Sequence, residues 1–399
     1  MRITLISHAI PYPPVHGGRI DIWRRIKAFA SFGVKLQLIY WSHNSPEPQE
    51  LAEMEKYIEQ VYLIPFKRTP LKIARRIIDL FSYPYEMTTR IPRGQELTSL
   101  LSQVKEFNPD LIFLDGIQGS TAANELSKNL NLPIVTRSHN IEHLYQQQLL
   151  QAATGWRKLK KQLYLTNLEQ YEENALRNSA FFYDISVDDL KFWQERGLNN
   201  GRYLPPLMDW TKNNIPEPEN KITDSNFDYD IVYFGGLGSD NNVEGIVWFL
   251  TNVVPLIQQK IATVTILIAG FAPFPIIKQL CSKIDCVELR VNPSETEHLY
   301  RSGRVLINPV SAGSGVNIKS IEMLVSQRPI VSRNQGVSGL PQELKKYFII
   351  ANDEQSFAEA IINCLSTDSQ TNNIEPEILN SFFGPQAIKN ILEDFESIL

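Results

Sequence analysis

The chain has 399 residues, 43% of them hydrophobic, and a formal net charge of −5. That length and apolar content suit two globular domains with sizeable cores. No apolar run reaches the roughly 18–20 residues a spanning helix needs, and an acidic total without stacking motifs among its basic runs excludes a nucleic-acid binder.

The first apolar run, Ile3–Ser7, is too short for a signal peptide and reads as a strand, so a cytoplasmic chain is expected. "PPVHGGR" (Pro13–Arg19) is a Pro/Gly loop that feeds a helix from about Arg19 to Phe32, with Gly33 at its end. Leu36–Tyr40 and Gln60–Ile64 are further strands. Lys67, Arg68, Lys72, Arg75 and Arg76 are interleaved with Leu71, Ile73, Ile77, Ile78, Leu80 and Phe81. The spacing predicts a basic amphipathic helix over 67–81, which suits a solvated face or an anionic membrane at the inner side of the cell envelope. A second basic run follows at Arg157, Lys158, Lys160 and Lys161. Asn108–Gly116 and Leu132–Asn140 are strands, each preceded by a helical stretch. A Glu-rich helix spans Tyr164–Arg177, Ala180–Ser186 is a strand, and Ser186 and Asp188 suit the cap of the next helix.

"KNNIPEPENKITDSNFDYD" (Lys212–Asp230) is polar, holds two prolines and lacks periodicity, as an interdomain linker would. Charge changes there too: residues 1–212 hold 26 Lys/Arg against 22 Asp/Glu, the remainder 13 against 22. Alternation then restarts with strand Ile231–Phe234, helix Glu244–Gln259, strand Val264–Ala269, helix Pro275–Cys281, strand Val287–Arg290 and a helix near Thr296–Ser302. Cys281, Cys286 and Cys364 have no CxxC spacing and no His cluster, so neither a disulfide framework nor a zinc site is expected. The expected organisation is α/β: a Rossmann-like, doubly wound domain over 1–212, a linker over 213–229 and a second such domain over 230–379. A helix over 380–399 is expected to pack back on the first domain. Ligands in such sheets sit at the C-terminal strand ends, here in a cleft between domains.

The stretch Val305–Leu340 carries the most chemistry. A strand, Val305–Asn308, stops at Pro309 and a glycine loop follows (Ser311–Gly315). A helical pattern with Val316, Ile318, Ile321, Met323 and Leu324 comes next, then the strand Pro329–Ser332. Glycines before a helix let the backbone approach a ligand, and the helix start offers N–H groups to phosphate. Lys319 and Glu322 lie three apart on that helix. A cation for phosphate and a carboxylate for ribose hydroxyls together suit a nucleoside diphosphate, as in a nucleotide sugar.

With these segments in order, the chain resembles the GT-B glycosyltransferases of family 4, two Rossmann-like domains facing each other across a cleft. "PPVHGGR" resembles the acceptor-side Gly-Gly loop, and "TRSHNIEHLY" (Thr136–Tyr145) the segment whose histidine faces the donor sugar. Ile231–Ile257 resembles the first strand–loop–helix of the nucleotide domain, and Val305–Leu340 the Glu-x7-Glu region. The resemblance implies a retaining, metal-independent hexosyltransferase that moves sugar from a nucleotide-diphosphate donor to a glycan or lipid-linked acceptor in surface polysaccharide or glycolipid synthesis. It needs no cofactor, and no Asp-x-Asp metal motif occurs. Residue by residue, it implies donor binding by Gly235, Gly236, Arg290, Val291, Ser314, Gly315, Val316, Lys319 and Glu322, with the backbone near Arg290–Asn292 at the base. His139 and Lys319 would be catalytic, and Gly17, Gly18 and Arg19 would face the acceptor. Two departures stand out. Ser314 occupies the first glutamate's place, and no Lys or Arg lies between Lys221 and Lys260, where an Arg/Lys pair often holds the pyrophosphate. A sugar-nucleotide 2-epimerase on the same architecture and a non-catalytic nucleotide-sugar binder are the other readings.

Overall fold

The computed structural model describes every residue except 15–16, 67–68, 152–154, 209–226, 294–297, 314, 368–371 and 373. The segment expected as a linker lies largely outside the described residues. Two compact units form: Met1–Leu207 with Phe382–Leu399, and Met208–Ser381.

The first unit is built on seven parallel strands: β1 Arg2–Ser7, β2 Lys35–Ser42, β3 Gln60–Pro65, β4 Leu111–Asp115, β5 Ile134–Ser138, β6 Phe181–Asp184 and β7 Gly201–Tyr203. Their order is β3-β2-β1-β4-β5-β6-β7. β1, β4 and β5 are buried along almost their whole length, which is why they read as continuous apolar runs rather than alternating ones. The order reverses between β1 and β4. The register sets Ser7 beside Asp115 and Asp115 beside Arg137, so three polar residues close three neighbouring strands at one edge. The last helix, Pro385–Glu396, belongs to this unit: the ring of Phe395 lies 5.9 Å from that of Phe29, 5.8 Å from Phe113 and 6.2 Å from Phe181. Burying such a ring contributes about 1.5–3 kcal/mol.

The second unit repeats the plan with six parallel strands: β8 Tyr229–Gly236, β9 Ile266–Phe271, β10 Val287–Val291, β11 Gly303–Asn308, β12 Ile330–Ser332 and β13 Ile349–Ile350. The order is β10-β9-β8-β11-β12-β13, reversing between β8 and β11. Its core joins Ile231, Tyr233, Ile266, Ile268, Val305 and Ile307 from the strands to Phe249, Val253 and Phe357 from the helices.

Several boundaries differ from expectation, each for a local reason. Gly17 and Gly18 open the first helix, Gly17–Ser31, instead of preceding it. The helix expected over Tyr164–Arg177 is two, Gly155–Leu165 and Leu168–Arg177, because Asn167 adopts a left-handed conformation with φ 60°. The helix expected from Glu244 starts at Asp240 and passes through a wide π-type turn, Phe249–Val253, before Pro255, which has no N–H to continue the α ladder. Val316 lies outside its helix, which runs Ile318–Val325 behind an extended Asn317. Residues 298–302 form turns, not a helix. The C-terminal helical segment is likewise two helices, Pro376–Phe383 and Pro385–Glu396, parted at Gly384. The short strands β7 and β13 and the helix Glu354–Ser366 add to the elements read from sequence.

Candidate functional site

In the second unit the strand reversal is flanked by two loops. Leu237–Ser239 connects β8 to the helix Asp240–Trp248, and residues 309–317 connect β11 to the helix Ile318–Val325. Glycine is required at both. A Cβ on Gly238 would stand 2.6 Å from the Ala272 carbonyl oxygen, and Gly315 has φ +68°, which L side chains rarely adopt. The second loop is anchored on each side. Ser311 Oγ donates to Glu244 Oε1 at 2.8 Å, and Gln335 Nε2 donates to the Gly313 carbonyl at 2.9 Å.

Lys319 lies in the first turn of the second helix and is buried. Its Nζ donates to the Tyr233 hydroxyl at 3.0 Å and to Asn242 Oδ1 at 2.6 Å. Among the described residues no carboxylate pairs with it. Burial without a counter-charge pushes its amine down to about 7. Glu322, one turn on, is half-buried and accepts from the Tyr300 hydroxyl at 3.2 Å. The two side chains of one helix are thus held by different elements: Lys319 by β8 and the helix after it, Glu322 by the turn before β11.

In the first unit the strand ends carry a different arrangement. Asp21 and Arg25, one turn apart on the Gly17–Ser31 helix, pair at 3.1 Å. Arg25 also binds Asp115 at 2.6 Å, and Arg137 reaches Asp21 at 3.3 Å. His139 Nε2 is hydrogen-bonded to Asp115 Oδ1, while its Nδ1 lies 3.9 Å from Asp21 Oδ2. His8 Nδ1 donates to the Asp115 carbonyl at 3.3 Å, and burial together with His139 pushes its imidazole down to about 4. Burial pulls the Asp115 and Asp21 carboxyls upward. Arg25 and His139 together outweigh it at Asp115, as Arg25, Arg137 and His139 do at Asp21, and both carboxyls are held below the ordinary range. The cluster therefore satisfies its own charges.

Every expected site residue but Ser314 has a definite place. Gly235, Gly236, Gly315, Val316, Lys319 and Glu322 are gathered around the β8–β11 reversal; Ser314 lies outside the described residues. Arg290 and Val291 end the edge strand β10. The Arg290 guanidinium is tied to Glu288 at 2.8 Å and to the hydroxyl of Tyr229, the first residue of β8, at 2.9 Å, so its backbone rather than its charge is left at the strand end. Arg19 sits in the first helical turn with its Nε buried and without a hydrogen-bond partner among the described residues. Ser186 caps the following helix, its Oγ accepting from the Asp189 amide at 3.2 Å. Sequence reasoning missed Asp21, Arg25, Asp115 and His8 around His139, and Tyr233, Asn242 and Tyr300 around the Lys319 helix. Two signals were available: the i,i+4 spacing of Asp21 and Arg25, and an acid closing the apolar run "LIFLD" (Leu111–Asp115). A small pocket lined by Glu86, Glu142, Gln146 and Tyr164, among others, includes none of the expected residues. Burial pushes the Glu142 carboxyl there up to about 7.

Residues 228–367, within the second unit, match the family model described as glycosyl transferases group 1. Over 91% of its length the chain is 26% identical to an uncharacterized 44.6 kDa protein in the cps region of Klebsiella pneumoniae, covering 90% of that protein. Among solved structures, Anabaena HepE in complex with UDP superposes with a TM-score of 0.64 at 13% identity, each chain covered over 100%. Sucrose-phosphate synthase from Thermosynechococcus elongatus gives 0.65 at 16%, again over 100% of both chains.

Proposed function

We propose that this chain transfers a sugar from a nucleotide-diphosphate donor to a glycan or lipid-linked acceptor during surface polysaccharide synthesis: its residues 228–367 match the group 1 glycosyl transferase model, and its fold is that of GT-B enzymes. The observation that carries the reading is Lys319, a buried amine without a carboxylate partner among the described residues, set between two glycine-bearing loops at the strand reversal. A diphosphate supplies the missing negative charge. The cps-region relative and the UDP-bound neighbour support, in turn, the pathway class and a uridine donor as the first one to try.

In the proposed reaction the bond from the anomeric carbon to the β-phosphate oxygen breaks, and the acceptor oxygen bonds that carbon on the same face. The acceptor proton passes to the departing diphosphate. Lys319 and the backbone N–H groups opening its helix stabilise the negative charge that grows on the leaving group. Losing one such contact costs about 10²–10³ in rate. Glu322 takes the ribose hydroxyls, and the backbone at Arg290–Val291 takes the base. His139, oriented by Asp115, contacts the transferred sugar through Nδ1, where the 3.9 Å approach to Asp21 is the one a hydroxyl can replace. Gly17, Gly18 and Arg19 serve the acceptor. None of these steps calls on a metal.

Calorimetric titration with uridine, UMP and UDP tests the reading. Affinity should climb with each phosphate in the wild type, and Lys319→Ala should remove most of that climb. UDP binding that is absent, or indifferent to both Lys319 and Glu322, refutes it.

A further inference from the structure

The helix Pro70–Asp79 is mounted inside out. On a helical wheel Leu71, Ile73, Ile77 and Ile78 fall within an arc of about 160°, and all four are more than half exposed. Phe81, in the turn that follows, is 84% exposed. Two of its polar residues, Arg76 and Asp79, face the protein instead. Asp79 is buried against Arg93 at 2.7 and 2.9 Å, and Arg76 bonds Thr88 Oγ1 at 3.2 Å while stacking over Tyr85. A solvated amphipathic helix would be oriented the other way.

A second helix extends the same surface. Gly155–Leu165 exposes Leu159 and Leu163 by about half. It is joined to the first by Tyr85 and Tyr164, whose rings lie 4.7 Å apart. Just beyond it, Asn167 Nδ2 donates to the Leu80 carbonyl at 3.4 Å. The two helices together contain seven Lys and Arg and a single acid, Asp79, which is neutralised internally. Arg75 and Lys158 are exposed.

We infer that this two-helix face of the first unit inserts its apolar ridge into the headgroup boundary of an anionic bilayer. Exposed apolar residues flanked by the exposed cations Arg75 and Lys158 match that boundary in both its oily and its charged parts. A second copy of the chain would set this cation-rich surface against itself, and like charges repel. The inference deepens the proposed transfer and rests on it for its purpose: of the two acceptor classes, the face selects the lipid-linked one. The structure also changes the physics expected from sequence. Attachment is by insertion with electrostatic help, so salt weakens it without abolishing it.

Flotation of the full chain with phosphatidylcholine vesicles, with or without phosphatidylglycerol, tests this. Wild type should float with the anionic vesicles at about 0.1 M salt, where screening acts over about 10 Å, and part of it should remain bound in high salt. Ile77→Ser/Ile78→Ser/Phe81→Ser should weaken binding at least about tenfold. Arg75→Ser/Lys158→Ser should lose about fivefold per cation on anionic vesicles only. UDP affinity and the circular dichroism spectrum should be unchanged in both, since the replaced residues are exposed. Wild type that ignores anionic vesicles, or a triple variant that binds them as wild type does, overturns the inference. So does a concentration-dependent dimer that the triple variant abolishes. Loss of UDP binding by wild type would instead count against the transferase reading and leave the vesicle result standing.

Discussion

The two units place charged side chains at the same point of the same topology and resolve them in opposite ways. At the β1–β4 reversal two carboxylates and two guanidinium groups pair with one another, and His139 completes the set. At the β8–β11 reversal one amine is buried and, among the described residues, has a phenol and an amide for company but no carboxylate. A closed cluster offsets its own desolvation and acts as scaffold; a buried cation without a counter-ion costs stability until something anionic arrives. The difference separates a positioning network from a binding site, although burial alone ranks Asp115 and Lys319 alike.

The sharpest way to break that comparison is to remove one member from each side. Asp115→Ala strands Arg25 and frees His139, and should destabilise the first unit by about 3–5 kcal/mol. Thermal unfolding would show it, with a transition from the second unit left in place. Lys319→Met should do the reverse in the apo protein, raising the stability of its unit, while costing about 1.5–3 kcal/mol of UDP affinity. If Lys319→Met unfolds its unit as Asp115→Ala does, the amine is structural and the contrast fails.

A finer cut falls within the donor site. Glu322→Ala should weaken uridine, UMP and UDP by a common factor of about ten, because the ribose is shared. A loss confined to UDP would place Glu322 on the phosphates and reverse the assignment.

The smallest expected effect concerns protons. With its amine near 7, Lys319 is partly neutral at physiological pH, and a bound diphosphate raises it again. Binding at pH 7 should therefore take up about half a proton. It should weaken with rising pH above 7, by less than tenfold between pH 7 and 8. Calorimetry in two buffers of different ionisation enthalpy measures the uptake, which Lys319→Met should abolish. The apo protein should show the opposite slope. The folded state holds this proton less tightly than the unfolded chain, whose amine titrates near 10.5, so the Lys319 contribution to stability rises from pH 7 towards 10.5. Equal slopes in wild type and variant would show that the amine is not depressed.

Legibility followed the range of the interactions. Buried parallel strands are apolar throughout, so β1, β4, β8 and β11 were visible as runs, and the glycine loop with Lys319 and Glu322 was visible because its residues are adjacent in the chain. Helix limits were less so. Asn167 and Asn317 depart from helical backbone for reasons no periodicity carries. The partners of His139 come from helix Gly17–Ser31 and from β4, 118 and 24 positions away for Asp21 and Asp115, and only the strand order brings them together.

Local pattern, then, determined the α/β alternation, the break into two units and the phosphate-suited segment, because each is written in neighbouring residues. Tertiary structure alone decided three things. It closed the acidic and basic residues of the first unit on themselves. It left Lys319 buried without a carboxylate partner among the described residues. It turned the apolar face of Pro70–Asp79 outward. A helical wheel gives the angle between two faces but not which one the rest of the protein covers, and a sequence names charges without saying which will meet.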